Sequence, residues 1–458
     1  MKLRRSLTTL SLVFVMYFNV SGGPFTIESL VAQVGPGLAL LILVLVPVIW
    51  SLPETLIIGE LASMLPEEGG YYRWVFRAFG PFWAFQNGWW TWVYSLVDMA
   101  IYPVLFNEYL AFFLPGLGTA ARWCVALAVI WGATAINLRG ALPVGRVSIL
   151  SGVFIMAGFM SLSLAALPHA SHAPWIPFLA SGHNPLGALG LGLSIALWNY
   201  IGWDNASTVQ GEVIDPSRTY PRALAFALPL VTAGYLVTSM AAASASDWST
   251  WSEGGWPDIA VAAAGRLGRP LSIWLALAGM ISALALFNAL LLSYSRIPLA
   301  MANDGLLPRF LASTDTRGTP ASAVIVSALF YSVFALIPFS GLIVADVLLY
   351  AMALALEFGA LVVLRRREPD LRGAFRIPVG SAGVTALAAI PMLVLLAVVA
   401  LSLQDPEYGS PAIAGAMLAA ILGPPAYWLM RRSRAARLAR MAEESQPAPE
   451  PDAGKRIP

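Results

Sequence analysis

Charge is scarce in this chain: charged side chains make up 11% of its 458 residues against 58% hydrophobic ones, and the mean hydropathy is +0.72. That balance excludes a soluble globular domain and describes a membrane protein. A single cysteine, Cys124, excludes an internal disulfide framework and a cysteine-based metal cluster. The histidines are His169, His172 and His183, in one loop without acidic or cysteine partners at regular spacing, so neither a metal site nor another cofactor is expected. His-Glu-x-x-His, paired-aspartate and nucleophile-elbow motifs are missing, which leaves a membrane-embedded enzyme as a remote alternative. A net charge of +2 is too small to point to nucleic acid.

What is present is apolar length. A bilayer core asks for about 20 apolar residues per helix. The chain supplies twelve runs, at about 7–33, 36–64, 81–114, 121–137, 142–167, 186–213, 220–243, 270–294, 320–337, 341–364, 382–403 and 411–430. The expected fold is therefore an all-α membrane protein of twelve transmembrane helices, one polytopic domain over residues 1–432. Residues 433–458, rich in proline and acid, read as a disordered tail. Basic residues set the orientation. Arg73, Arg77, Arg139, Arg146, Arg218, Arg222, Arg296, Arg309 and Arg317 fall on one side, together with the runs at 365–376 and 431–440. Only Arg122, Arg266 and Arg269 fall on the other. Both termini are thus expected in the cytoplasm, with the protein in the cell membrane.

Two of the runs are broken. Asn19-x-x-Gly22 and Asn199-x-x-Gly202 lie 180 residues apart, inside the first and sixth spans. In hydrocarbon an unmet peptide group costs several kcal/mol, so broken backbone survives only where it is buried in protein or lines a cavity. Residues 1–5 and the apolar run behind them also have the shape of a secretory signal. The second break, in the corresponding span of a second half, argues instead for an inverted-repeat transporter with its site at the two breaks. The halves are expected at about 5–167 and 186–364, with two extra helices at about 382–430. Pro24 is expected to open the second half of the first span, through to about Gln33.

Intramembrane acids mark function by default. Glu54, Asp98 and Asp204 fall near mid-span, with Glu60 and Glu108 further along theirs, and no lysine or arginine stands at mid-span to neutralise them. Asp98 and Tyr102, four residues apart, share a helix face. Trp203 beside Asp204 is placed to wall in a bound cation. The expected binding residues are Ser21, Gly22, Gly23, Asp98, Tyr102, Asn199, Gly202, Trp203 and Asp204. Glu54, Glu60 and Glu108 are expected as acids for a proton or for the substrate.

The segments Ser21-Gly22-Gly23-Pro24-Phe25, Trp50-Ser51-Leu52-Pro53-Glu54, Gly59-Glu60-Leu61, Gly80-Pro81-Phe82-Trp83, Tyr102-Pro103-Val104-Leu105-Phe106 and Gly211-Glu212-Val213 carry a likeness over essentially all twelve spans. By them the chain is identified as a member of the amino acid–polyamine–organocation transporter superfamily, and it resembles the plant-type polyamine uptake transporters. The resemblance implies a LeuT-like five-plus-five inverted fold with two further helices and a substrate held between the first and sixth breaks. Many relatives carry a lysine in the fifth helix in place of a sodium ion. This fifth span has none, with Arg146 at its cytoplasmic end, so that mechanism does not carry over. Where the polyamine branch has Asp-Asn, this chain has Asp98-Met99.

The expected function is secondary transport of an amino acid or a polyamine, preferentially cationic, by alternating access, with protons as a further candidate partner. The break favours an amino acid, whose carboxylate would sit on the N–H groups of Ser21 to Gly23. The unneutralised acids and the resemblance favour a polyamine.

Overall fold

The computed structural model describes residues 4–181, 184–316, 318–335, 343–402, 415 and 417–432. The first run forms α1 (Thr9–Val20) and α2 (Ile27–Val34) on either side of a break. Next come α3 (Pro36–Val46), a π-helical turn (Pro47–Ser51) and α4 (Leu52–Met64), which follow one another as a single span. Prolines at 47 and 53 remove two backbone donors, and the wider π turn between them absorbs the mismatch without ending the span. An amphipathic helix, α5 (Gly70–Phe79), leads into α6 (Pro81–Ala111), α7 (Thr119–Asn137) and α8 (Ala141–Ala166). Then α9 (Pro185–Trp198) runs into the second break, beyond which the chain resumes as a 3₁₀ helix (Asn205–Glu212). The remaining helices are α10 (Pro216–Ala245), α11 (Trp256–Ala263), α12 (Gly268–Tyr294), α13 (Arg296–Asn303), α14 (Ala321–Phe334), α15 (Ile343–Arg367) and α16 (Ser381–Ser402).

Seven segments among the described residues are long and apolar enough to cross a bilayer: Pro36–Met64, Thr119–Asn137, Ala141–His169, Pro216–Ala245, Gly265–Asn303, Leu348–Arg367 and Ser381–Val398. Thr9–Val20, Pro185–Trp198 and Ala321–Phe334 are shorter apolar helices. The long α6 carries Gln86, Asn87, Asp98, Asn107 and Glu108 along its 31 residues and is not among the seven. Residues 417–432 are helical where the last run was expected. The start of that run, the link at 338–340, His183, Arg317 and the tail at 433–458 lie outside the described residues.

Burial is arranged inside out. Every residue from Ser11 to Val20 of α1 is buried, and this helix packs against α8, α10 and α12. A helix buried on all sides belongs at the centre of the bundle. Large apolar side chains point outward instead: Leu150 is 72% exposed, Phe226 65% and Leu396 65%. Such a surface suits acyl chains rather than water, as an integral membrane protein requires.

The first break is longer than the sequence indicates. The second half starts at Ile27 rather than Pro24, because Gly22 and Gly23 have positive φ (64° and 123°) and Thr26 is left-handed at 75°. The carbonyl of Gly22 accepts from the Ser282 hydroxyl at 2.7 Å and that of Pro24 from Trp256 Nε1 at 2.9 Å. Side chains of neighbouring helices thus take the bonds that a continuous helix would have made internally.

Candidate functional site

The two breaks meet. Gly202 stands so close to the first break that a Cβ on it would lie 2.5 Å from the Asn19 carbonyl oxygen, and its φ is +99°. Thr26 Oγ1 donates to Asn199 Oδ1 at 2.8 Å across the junction, and Asn19 Nδ2 donates to Ser293 Oγ at 2.9 Å. Two sequence-remote interruptions are thereby brought to one place in the core.

A cavity of about 40 Å³ opens at this junction. Among the residues lining it are Ser21, Asp98, Tyr102, Asn199 and Gly202, all expected from the sequence. Tyr94, Trp198, Tyr294 and Tyr350 line it as well. Asp98 is the carboxylate in its wall: Oδ1 accepts from Tyr102 at 2.9 Å and Oδ2 from Tyr294 at 2.9 Å. A carboxylate offers about four acceptor positions, so two phenols leave room for a further donor. Tyr94 packs edge-on to both Tyr294 and Tyr350, with ring centroids 5.8 and 5.7 Å apart. An anionic oxygen pair set among aromatic rings favours an ammonium group.

Past Thr26, Leu105 and Trp198, which line both, lies a larger cavity of about 310 Å³. Its wall holds two exposed acids, Glu108 and Glu253, with Ser29, Gln33 and Ser194.

The other expected residues lie elsewhere. Gly22 and Gly23 belong to the break but do not line the cavity, and the N–H groups of this segment are already bonded. Ser21 and Gly22 both donate to the Tyr17 carbonyl (2.8 and 3.0 Å), and Gly23 donates to Ser21 Oγ (3.1 Å). The expected seat for a carboxylate is therefore filled by the chain itself. Trp203 is fully buried away from the cavity; its carbonyl accepts from the Tyr220 hydroxyl at 3.1 Å. Asp204 is behind the wall, 3.0 Å from the Tyr350 hydroxyl, and Glu54 is 3.0 Å from that same hydroxyl. A further buried acid, Glu357, accepts from Asn87 at 3.2 Å. It went unnoticed in the sequence, lying in an apolar run that continues into the arginines at 365–367.

Glu60 is not an unneutralised acid. Arg365, near the end of α15, reaches both of its oxygens (2.7 and 2.5 Å), and the pair is almost fully buried. Arg365 also donates to the carbonyls of Ile377 and Val379, so its charge is fully engaged. Further ion pairs share the arginine-rich side: Arg73 with Asp304 at 2.8 Å, Arg296 with Glu212 at 2.7 Å, Arg77 with Glu368 at 2.7 Å. In the loop before α5, burial and then the nearby Glu212 hold the Glu68 carboxyl well above the usual carboxylate range, against the pull of Arg296. The hydrogen bond from Arg77 lowers Glu368. Glu60→Ala strands a buried guanidinium, a loss that typically costs about 3–5 kcal/mol. We expect a clear fall in the melting temperature of the purified protein, with the solute affinity of the protein that still folds unchanged. A melting temperature within error of the parent would contradict this role.

After α8, His169 Nδ1 meets the Ala165 carbonyl at 3.1 Å and His172 Nδ1 the Ser171 hydroxyl at 3.0 Å.

Residues 7–422 match the amino acid permease family. The chain is similar to the polyamine transporter PUT1 of rice, at 38% identity over 401 residues, covering 87% of this chain and 74% of that protein. It is similar to the polyamine transporter RMV1 of Arabidopsis thaliana at 37% over 398 residues, 86% and 80% of the two chains. A methylthioribose transporter of Bacillus subtilis is 24% identical over 412 residues, 82% and 84% of the two chains.

Proposed function

The chain belongs to the amino acid permease family, and from that membership we propose that it is a secondary transporter whose substrates are polyamines. The relatives named polyamine transporters support this reading, at 37–38% identity over most of the chain. The observation that carries it is the position of Asp98, a buried carboxylate held by two phenols in the cavity between the breaks. One ammonium group of the substrate sits against Asp98. The hydrocarbon chain then runs past Leu105 and Trp198 into the larger cavity, where Glu108 and Glu253 receive the distal ammonium. Asp98 and Glu108 are ten residues apart on α6, roughly 15 Å of helix rise. A tri- or tetraamine in extended form suits that separation.

The finer architecture belongs to the same proposal: twelve spans in the cell membrane, halves at about 5–167 and 186–364 related by an inverted repeat, extra helices at about 382–430, and both termini cytoplasmic. Alternating access would close one side of the breaks as the other opens. Protons are the second proposed partner. The membrane potential alone contributes about 2.3 kcal/mol per charge per 100 mV, hence about 4.6 kcal/mol for a dication.

A cationic amino acid is the competing reading, since its amine would also find Asp98. Its carboxylate, however, would meet N–H groups that Tyr17 and Ser21 already occupy. Equilibrium binding to purified protein with arginine against agmatine, lysine against cadaverine and ornithine against putrescine separates the two, because each pair differs only by the carboxylate. The decarboxylated member is expected to bind more tightly in all three. Tighter binding of the amino acid in every pair would replace the polyamine reading.

A further inference from the structure

The Tyr350 hydroxyl has three polar neighbours. It accepts from the Gly202 N–H at 3.1 Å, and stands 3.0 Å from Glu54 Oε1 and 3.0 Å from Asp204 Oδ1. A phenol has one hydrogen to give and accepts through its oxygen lone pairs. Splitting its one hydrogen between both acids would leave two weak three-centre contacts; each contact is a full hydrogen bond when Tyr350 donates to one carboxylate and accepts from the other carboxyl, which must then carry a proton. With both acids ionised, a carboxylate oxygen would face a phenol lone pair at hydrogen-bond distance. That contact is buried, with Glu54 0% exposed and Asp204 2%. Two further neutral donors stand near the Glu54 carboxyl, the Trp203 backbone N–H and the Trp50 indole, and neither supplies a positive charge.

We propose that Glu54 and Asp204 hold a single proton between them, and that Tyr350 links this proton to the break at Gly202. The titratable groups facing the pair are Glu357 from α15, Tyr71 from α5, Tyr220 from α10 and, beside Tyr350, Tyr94 from α6. None of these is a cation, and among the described residues no ion pair reaches Glu54, Asp204 or Glu357. The shared proton removes one of the pair's two negative charges.

Its release couples to the cavity. The carboxyl O–H bond breaks, the electron pair stays on the carboxylate oxygen, and the proton passes to water entering the cavity. Tyr350 then serves one carboxylate and repels the other. Either that carboxylate withdraws or the phenol turns away from the Gly202 N–H. Gly202 and Tyr350 both line the cavity, and Gly202 lies against Asn19 of the opposite break. Protonation of a site behind the wall thus sets the shape of the site in front of it.

The test has two arms. Infrared spectra of the purified protein in lipid at neutral pH, parent minus variant, report the C=O stretch of a protonated carboxyl directly and need no substrate. The parent is expected to lose one such band in Glu54→Gln and in Asp204→Asn. In Tyr350→Phe, which keeps both acids and the ring, the band is expected to shift as its acceptor is removed. Retention of the unshifted band in all three variants would overturn the assignment.

The second arm rests on the transporter reading. Polyamine uptake into proteoliposomes at clamped potential is measured with and without an inward proton gradient, each protein normalised to its own uptake without the gradient. The gradient is expected to stimulate the parent and to lose that stimulation in Glu54→Gln; equal stimulation in both would overturn the coupling. A parent that takes up no polyamine would count against the substrate reading alone, since the infrared band still decides the proton.

Discussion

Asp98→Asn is expected to weaken polyamine binding about 30- to 4,000-fold. The estimate follows from the roughly 2–5 kcal/mol lost when one partner of a desolvated, hydrogen-bonded charge pair is removed. Asparagine keeps the size of the side chain and still offers one acceptor to Tyr102 or Tyr294, while a phenol oxygen accepts from its amide. The fold should therefore survive, and the loss should fall on the substrate. Binding of a labelled di- or triamine to the purified variant, with its melting temperature recorded alongside, checks both halves. An affinity within about threefold of the parent would remove Asp98 from the site, because no desolvated ion pair is that weak.

Gly202→Ala is the second large effect. At φ +99° an L residue is strained, at roughly 1–2 kcal/mol. The new methyl would also press on the Asn19 carbonyl, which is backbone and cannot swing aside, and overpacking of this kind costs about 1–3 kcal/mol. Together these amount to about 2–5 kcal/mol, enough to force the two breaks apart. We expect a lowered melting temperature and loss of transport. Gly116→Ala is the matched control: its φ is +88°, but nothing lies within 4 Å of the added methyl, so only the backbone strain remains. If the two variants lost the same stability and Gly202→Ala still bound substrate normally, close contact between the breaks would have no functional weight.

Several features of the protein were legible in the order of its residues. Apolar runs of bilayer length picked out the seven candidate spans found among the described residues, and the predicted 36–64 run matches the Pro36–Met64 span residue for residue. Glycine and proline inside an apolar run marked the breaks, since hydrocarbon tolerates them only with a purpose. Acids in such runs are costly wherever they fall, so Glu54, Asp98 and Asp204 stood out as candidate site residues.

Only the tertiary structure decided what each of them faces. Along a helix, sequence position gives depth at 1.5 Å per residue. It does not give rotation about the axis when a helix is buried on all sides, as α1 is, because no polar stripe shows which face meets which neighbour. Hence Asp98 turned out to face the cavity while Asp204, also at mid-span, lies behind its wall. Tyr294 and Tyr350 reach the site from α12 and α15, far along the chain from the acids they serve, and tyrosine in an apolar run carries no mark of that task. Arg365 was visible as one member of a basic cluster, yet its choice of Glu60 arises only where α15 crosses α4. The N–H groups of the first break were read as open to a substrate carboxylate, and in the structure they are bonded to Tyr17 and Ser21 of the same chain. A backbone donor must be satisfied in a medium without water, but which oxygen satisfies it is settled by the nearest one in three dimensions.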